Sequence, residues 1–184
     1  MRIFIGIKTE AGLRTKLSGI QNDIRKITER GSFTRTENFH LTLCFIGEYS
    51  QDKIGCIEKI IDGFAKKTTC FSINGSQLGV FPKGNKGIVY FDLEQSQHLS
   101  NAYRKLVREL YALGIIDQNR LKASFKPHIT MARNVPVNQE IIQKLSVYNC
   151  PELVLEVKGI SVFESLRENE QLVYKEIYFK ELNI

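Results

Sequence analysis

The sequence predicts a mixed fold of strands and helices built from two similar halves. Strands and helices alternate in the same order twice along the 184 residues, and a histidine-containing strand recurs at positions 40 and 128, which are 88 residues apart. A chain of this length buries roughly 70% of its unfolded surface, which is enough for a core without a metal or a disulfide. Residues 1–184 are therefore expected to form one bilobal domain.

The first half has the periodicity of strand, helix, strand, helix, strand. The expected elements are a strand over 2–8, a helix with apolar residues every three or four places over 13–27, a strand over 39–46, a helix over 54–64 and an extended segment over 71–80. Ser50 is expected to cap the second helix. Residues 81–87, rich in Gly, Lys and Asn, are expected to form a loop.

The second half repeats this order. The expected elements are a strand over 88–93, a helix over 99–113, a strand over 125–132, and closing strands over 153–163 and 172–179. Gly114 is expected to stop the long helix, and Asn138 is expected to open a shorter one. An offset of 88 aligns His40 with His128, Thr42 with Thr130, and Ser50 with Asn138. This common register predicts a structural duplication with pseudo-symmetric lobes.

Two of the three histidines stand in the pattern His-x-Thr, at His40–Thr42 and His128–Thr130. In a strand, side chains at i and i+2 share one face, about 6.6 Å apart, while the residue between them points to the other face. Two such strands facing a groove would present two imidazoles and two hydroxyls. A neutral imidazole can take a proton from water while a protonated one donates to a leaving oxygen. The hydroxyls can hold phosphoryl oxygens, so the set suits phosphodiester hydrolysis without a metal.

The positive charge is unevenly distributed. The formal net charge is +6, but the windows 63–91 and 118–139 contain no Asp or Glu and carry +8 between them, which leaves −2 for the rest. Their basic residues are Lys66, Lys67, Lys83, Lys86, Arg120, Lys122, Lys126 and Arg133. Basic windows on a slightly acidic remainder predict a polyanionic partner. The chain has no apolar run near 18 residues and no signal peptide, which predicts a cytoplasmic protein away from membranes.

The cysteines and the third histidine are expected to have no part in the chemistry. Cys44, Cys56, Cys70 and Cys150 form no disulfide framework and no C-x-x-C pair, so reduced thiols and no zinc site are expected. His98 lacks the His-x-Thr pattern and is expected on the surface. One alternative stays open: Cys44 shares its strand face with His40 and Thr42, which would allow a Cys–His nucleophilic pair.

These motifs resemble the two-histidine phosphoesterase superfamily, in particular its LigT-like RNA 2′,3′-cyclic phosphodiesterase branch. The similar segments are residues 37–43, 45–48, 78–82, 125–133 and 162–166, together with Tyr174. The resemblance implies an α+β fold whose two lobes each bring an antiparallel sheet to a central cleft, with helices outside. It implies hydrolysis of RNA-terminal 2′,3′-cyclic phosphate to a 2′-phosphomonoester without metal or cofactor, and reversible joining of RNA ends through 2′–5′ bonds.

The resemblance also implies roles for particular residues. His40 would protonate the departing 3′-oxygen, His128 would activate the water, and Thr42 and Thr130 would bind the phosphate. Further substrate contacts are expected from Lys126, Arg133, Phe125 and Phe81. The chain departs from the family pattern at Ala123 and Gly87, where arginine is usual, at Lys126, where a second arginine is common, and at Phe33, where tryptophan is usual.

Two further hypotheses remain open from the sequence. The departures at Ala123 and Gly87 allow a small substrate, a cyclic nucleotide or an ADP-ribose cyclic phosphate, in place of an RNA 3′ end. The basic windows also allow a non-catalytic RNA-binding module. No aromatic stripe or heptad indicates a protein partner, so a monomer is expected.

Overall fold

A computed structural model describes residues 1–28 and 30–184, and within them it contains nine strands and five α-helices. The elements are β1 (Arg2–Lys8), α1 (Ala11–Thr28), β2 (Ser32–Phe33), β3 (His40–Glu48), α2 (Ile54–Ala65), β4 (Phe71–Lys83), β5 (Lys86–Leu93), α3 (Gln97–Ala112), α4 (Gln118–Lys122), β6 (His128–Pro136), α5 (Gln139–Ser146), β7 (Val154–Val157), β8 (Gly159–Glu168) and β9 (Gln171–Glu181). Short 3-10 turns at Thr36–Asn38 and Gln51–Lys53 precede β3 and α2.

The strands form one antiparallel sheet in the order β7-β4-β5-β6-β3-β1-β8-β9, with β2 added to β6. One half of the sheet is β3-β1-β8-β9, and the other is β7-β4-β5-β6. The halves meet where Leu41 of β3 pairs with Ile129 of β6. These two residues are 88 positions apart, so the pair lies on the pseudo-twofold axis that the repeat predicts. The predicted α+β fold of two lobes with antiparallel sheets is confirmed.

Each histidine strand carries a bulge at the same place. The pairing with β1 steps from Gly6–Thr42 to Ile5–Cys44, and the pairing of β5 with β6 steps from Tyr90–Thr130 to Val89–Ala132. Leu43 and Met131 are the extra residues, each directly after its motif threonine. A bulge bends the strand and increases its twist, so both motifs end on the same local bend.

The apolar faces of the helices cover one face of the sheet. Leu17 and Ile24 of α1, Ile57 and Ile61 of α2, and Leu106 and Leu110 of α3 are fully buried. Each such side chain contributes roughly 1.5–3 kcal/mol by leaving water. Leu41 and Ile129 are buried in the same core, while the histidines and threonines beside them are only half-buried. The predicted division of each motif strand into a packing face and a chemical face is confirmed.

The predicted loop over 81–87 is wrong. β4 continues through Phe81 and Pro82 to Lys83, and β5 begins at Lys86. The two strands are joined by a two-residue turn in which Gly84 has a φ of 62°, a conformation for which glycine is favoured at the first turn position. The Gly, Lys and Asn content marks the exposed tip of a hairpin, and it does not interrupt the strands.

Two helix and strand starts also differ from the prediction. Ser50 does not cap α2: its hydroxyl donates to the Asp52 carboxylate, and a 3-10 turn lies between it and the helix. Asn138, in contrast, accepts a hydrogen bond from the Ile141 amide at 2.8 Å, as predicted. β6 begins at His128 and not at residue 125, because Pro127 has no amide proton for a sheet ladder.

The predicted strand over 153–163 is two strands. β7 pairs with β4 in one half of the sheet, whereas β8 pairs with β1 and β9 in the other. The break at Lys158 is therefore the point where the chain crosses from one lobe back to the other. An uninterrupted apolar pattern carries no signal for such a crossing, because both strands have one buried face.

Candidate active site

The pairing of β3 with β6 brings the two motifs together. Because Leu41 lies opposite Ile129, the antiparallel register places His40 opposite Thr130 and Thr42 opposite His128. Directly opposed residues of an antiparallel pair point to the same face of the sheet and lie within about 5.5 Å of one another. The two imidazoles and two hydroxyls thus form one cluster, with each histidine beside the threonine of the other lobe.

Both imidazoles are oriented by a backbone carbonyl two residues upstream. Nδ1 of His40 lies 2.7 Å from the Asn38 carbonyl oxygen, and Nδ1 of His128 lies 2.7 Å from that of Lys126. A carbonyl can only accept, so Nδ1 carries the proton in each ring. Nε2 is then the atom that exchanges a proton at the site. In the first lobe, Nε2 of His40 lies 2.9 Å from the Thr42 hydroxyl.

Aromatic rings enclose both histidines. Ring centroids of Phe4 and Tyr174 lie 4.7 and 5.0 Å from that of His40, and those of Phe81 and Tyr90 lie 5.1 and 5.4 Å from that of His128. Burial lowers the pKa of His40 from 6.5 to about 4, and it also lowers the pKa of His128. The positive charge of Arg133 acts in the same direction on both. Both rings are therefore mostly neutral at pH 7 in the free protein.

Asn38 anchors the carbonyl that orients His40. Its buried side chain donates from Nδ2 to the Leu172 carbonyl at 2.8 Å and accepts from the Tyr174 amide at 3.2 Å. Strand β9 thereby fixes the segment before the first motif. In the other lobe, the corresponding residue is Lys126, whose ammonium group lies 3.4 Å from the Asp92 carboxylate. Asn38 lies inside the motif segment 37–43, but its function depends on β9, which no local pattern reveals.

Among the described residues, three depressions adjoin the cluster. The Arg2 depression, of about 680 Å³, is lined by Arg2, His40, Thr42, Phe45, Arg133 and Tyr174, with others. The Phe33 depression, of about 660 Å³, is lined by Phe33, Arg35, His40, Thr130, Arg133 and Asn134, with others. The Arg120 depression, of about 490 Å³, is lined by Thr42, Phe45, Phe81, Arg120, Phe125 and His128, with others.

All the predicted contact residues line these depressions. Arg133 lies where the Arg2 and Phe33 depressions meet, next to His40. Phe81, Phe125 and Lys126 line the Arg120 depression next to His128. The two threonines border different depressions. Thr42 borders the Arg2 and Arg120 depressions, and Thr130 borders the Phe33 depression.

The positions that depart from the family pattern have distinct surroundings. Ala123 lines the Arg120 depression. A Cβ at Gly87 would lie 2.6 Å from a Val137 methyl, so position 87 has no room for an arginine. Phe33 lies under the Arg25 guanidinium at 3.9 Å and lines its own depression.

Sequence reasoning missed the basic residues of the Arg2 depression. Arg2 and Arg167 lie outside both acid-free windows, yet both line it. The pairing of β1 with β8, which places Ile3 opposite Glu164, brings the start of one strand to the end of the other. The window 118–139 does supply Arg120, Lys126 and Arg133 to the cleft, whereas Lys83 and Lys86 of the other window lie at the tip of the β4–β5 hairpin.

The remaining candidate groups lie outside the proton chemistry. Burial raises the pKa of the Cys44 thiol to about 11, so this thiol is not ionised at neutral pH and is a poor nucleophile. His98 is exposed, as predicted, and packs against Phe71 at 4.5 Å. Within the described ranges, no group of three or more His, Cys, Asp or Glu could hold a metal ion. None of the helices described is long and apolar enough to cross a membrane.

The chain is similar to known proteins in sequence and in fold. Residues 7–90 match the model of the family described as LigT like Phosphoesterase. The chain is 27% identical over 147 residues to the RNA 2′,3′-cyclic phosphodiesterase of Methanothermobacter thermautotrophicus, covering 79% of this chain and 78% of that protein. It is 24% identical over 179 residues to the protein of the same name from Archaeoglobus fulgidus, covering 96% and 98%.

The fold is also similar to that of a solved LigT structure. The crystal structure of E. coli LigT in apo form superposes with a TM-score of 0.77 at 20% sequence identity, covering 100% of this chain and 98% of that one. The molecule thus has the fold of the LigT phosphoesterases. The predicted resemblance to the LigT-like two-histidine phosphoesterases is confirmed.

Proposed function

We propose that the protein is a hydrolase that opens RNA-terminal 2′,3′-cyclic phosphates to 2′-phosphomonoesters without a metal. The observation that carries the proposal is the cluster of two imidazoles, each held by a carbonyl at Nδ1, beside two threonine hydroxyls in a basic cleft. The names of the relatives support the same substrate class. Each lobe supplies one histidine and one threonine of the cluster, so residues 1–184 act as one bilobal domain. We further propose that it acts as a monomer in the cytoplasm.

The reaction needs one base and one acid on opposite sides of phosphorus. His128 Nε2 takes a proton from water as the water oxygen bonds to phosphorus. The bond from phosphorus to the 3′-oxygen breaks, and protonated His40 gives its Nε2 proton to that oxygen. Thr42 and Thr130 donate to the phosphoryl oxygens, and the Arg133 guanidinium stabilises the negative charge that develops on them.

His40 must gain a proton before it can act as the acid. Its pKa of about 4 in the free protein leaves only a small protonated fraction at pH 7. A phosphate anion bound beside the ring favours the protonated form and raises that pKa. The Thr42 hydroxyl can then accept from Nε2–H until the 3′-oxygen takes the proton. Substrate binding itself thereby prepares the acid.

The direct test is incubation with an oligoribonucleotide that ends in a 2′,3′-cyclic phosphate, in the presence of EDTA. We expect a 2′-phosphomonoester, identified by ³¹P NMR. His40→Ala and His128→Ala should each lower kcat by about 10²–10⁴, while His98→Ala serves as the surface control. Absence of turnover, or turnover that both active-site variants retain, would disprove the proposal.

The assignment of acid and base has its own test. A cyclic substrate with sulfur in place of the 3′-oxygen releases a thiolate, which leaves without a proton. This substrate should restore much of the activity of His40→Ala and little of that of His128→Ala. The opposite pattern would exchange the two assignments and leave the hydrolysis itself intact.

A small cyclic nucleotide or ADP-ribose cyclic phosphate is the second candidate substrate. It is favoured by Ala123 and Gly87, since neither position supplies an arginine to hold RNA. A higher kcat/KM on a mononucleotide than on an oligomer would identify it. Joining of RNA ends through 2′–5′ bonds is expected when a 5′-hydroxyl takes the place of water: its oxygen bonds to phosphorus, the bond to the 3′-oxygen breaks, and the 3′-oxygen takes the proton. This reaction is measured with a 5′-hydroxyl acceptor in excess, and it reverses when the 3′-oxygen attacks the 2′–5′ phosphodiester. Tight RNA binding without product of hydrolysis or joining would indicate a non-catalytic RNA-binding module.

A further inference from the structure

Phe45 lines two depressions, and one arginine from each depression stacks on its ring. The Arg2 guanidinium lies over its ring at 5.0 Å and lines one depression, and the Arg120 guanidinium lies over the same ring at 5.2 Å and lines the other. We propose that Arg120, held by Phe45, binds the first phosphodiester on the 5′ side of the cyclic phosphate. The inference rests on the proposed hydrolysis of RNA ends and states where the RNA strand leaves the reaction centre.

The charge around Arg120 suits a phosphodiester. The lining of the Arg120 depression includes Arg120 and Lys126 and no acidic residue in the described part of the chain. Lys126 lies 3.4 Å from Asp92, whereas no described carboxylate comes within 4.0 Å of the Arg120 guanidinium. The Arg2 depression differs, because Glu48 and Glu164 line it. A polyanionic strand therefore meets less repulsion on the Arg120 side.

The stacking on Phe45 prepares Arg120 for this contact. A guanidinium over an aromatic face is attracted by the ring quadrupole and keeps its N–H edge free. That edge matches two oxygens of a phosphate in a bidentate pair. Because α4, which carries Arg120, is only five residues long, the contact with Phe45 of β3 ties the arginine to the rigid sheet.

The position of Arg120 relative to the reacting phosphate fits one further nucleotide. Thr42 and Phe45 both line the Arg120 depression and lie three residues apart on β3, about 10 Å at the usual rise of a strand. With the cyclic phosphate at Thr42, the attached nucleoside occupies the space between, beside Phe81 and Phe125. Its 5′-phosphodiester then reaches the Arg120 edge of the depression.

The experiment compares two substrates, adenosine 2′,3′-cyclic phosphate and the dinucleotide that carries one further adenosine on its 5′ side. We expect the wild-type protein to prefer the dinucleotide in kcat/KM by at least about tenfold, the effect of one charged hydrogen-bonded contact. Arg120→Gln should abolish most of this preference, mainly through KM, and Arg120→Lys should restore part of it. Phe45→Leu should act in the same direction as Arg120→Gln.

Arg2→Gln is the matched control, because Arg2 stacks on the same ring in the other depression. It should leave the ratio of the two kcat/KM values near that of the wild type. Equal use of both substrates by the wild type, an unchanged ratio in Arg120→Gln, or a ratio lowered by Arg2→Gln instead would overturn the proposal. Thermal unfolding of each variant checks that the substitutions leave the fold intact.

Failure of the hydrolysis proposal gives a different result. If neither substrate is turned over, the proposed function fails, and the Arg120 subsite is then tested by measuring binding affinities. Titration calorimetry with the mononucleotide and dinucleotide 2′-phosphates should still show tighter binding of the dinucleotide, and Arg120→Gln should remove the difference. Equal affinities would overturn the subsite independently of activity.

Discussion

At the scale of single residues, the site depends on how each imidazole is held. A carbonyl two residues upstream fixes Nδ1–H in both lobes, so the two Nε2 atoms are chemically alike. Their surroundings differ: His40 packs against Phe4 and Tyr174 and bonds to Thr42, whereas His128 lies near the Lys126–Asp92 pair. The local motif is thus symmetric, and the rings around it distinguish the two histidines.

The first prediction concerns the pH dependence of catalysis. In the proposed mechanism the active form has one protonated and one neutral imidazole, and both pKa values lie below 6.5 in the free protein. Since kcat/KM reports the free enzyme, it should peak between about 4 and 6.5 and fall about tenfold per pH unit above the higher pKa. Initial rates at low substrate concentration, from pH 4 to 9, measure this. A plateau that extends to pH 8 would contradict the lowered pKa values.

The second prediction concerns stability. His40 has a lower pKa folded, about 4, than unfolded, about 6.5, so between these pH values the unfolded chain binds the extra proton. The contribution of His40 to the free energy of unfolding is therefore fully present above pH 6.5 and is lost as pH falls towards 4. The total loss is about 3 kcal/mol. Urea unfolding at several pH values measures the slope. His40→Gln should flatten it, and His98→Gln, an exposed control, should not.

The histidines and threonines could be predicted from the sequence because their spacing is local, but their partners could not. His-x-Thr at strand period places both groups on one face whatever the fold. Asn38 is held by a hydrogen bond to β9, and Arg2 stacks on Phe45 of β3. Both contacts exist only after strands that are distant in the sequence have paired. The pKa of His40 likewise depends on rings from β1 and β9, so it required the structure.

At the scale of elements, Gly6 sets how closely β1 approaches β3 at the site. A Cβ at this position would lie 2.7 Å from the Leu41 carbonyl oxygen and 3.5 Å from Cδ2 of His40. Its counterpart in the other lobe is Tyr90, which pairs with Thr130 as Gly6 pairs with Thr42. The two lobes have the same register but fill this position differently.

The third prediction follows from that approach. Gly6→Ala should force β1 and β3 apart, lower the free energy of unfolding by about 1–3 kcal/mol, and displace His40. A displacement near 1 Å can lower kcat about 10²-fold. Gly19→Ala is the matched control: a Cβ there meets nothing within 4 Å, and alanine in a helix should stabilise by about 0.5–1 kcal/mol. Equal effects of the two substitutions would contradict the steric explanation.

Helices could be predicted from the sequence where the apolar periodicity continued over several turns. The apolar spacing of α1 and α3 located both helices, because it continues over four turns or more. The break at Lys158 and the hairpin at Gly84 were not predictable from local patterns. In both cases, pairing with a remote strand decides the boundary, and composition reports only which residues are exposed.

At the scale of the whole molecule, the strands of the first lobe do not come from one continuous stretch of chain. β1 and β3 come from the beginning, β4 to β7 form the second lobe, and β8 and β9 return to complete the first. The repeat in the sequence predicted the two lobes but not this return. The lobes share the pair Leu41–Ile129, whose side chains are both 0% exposed, so the junction is also part of the core.

The fourth prediction is that the two lobes unfold together. Leu41→Ala and Ile129→Ala should each cost about 2–5 kcal/mol and shift one common transition, because both side chains lie in the one hydrophobic core that the two lobes share. Urea unfolding followed by far-UV circular dichroism and by tyrosine fluorescence should give coincident curves. Ile142→Ala, at a side chain that is 45% exposed on α5, should cost no more than about 0.5 kcal/mol. Two separate transitions, or a junction variant that loses only one lobe, would mean that the cluster of histidines and threonines joins two independently stable units.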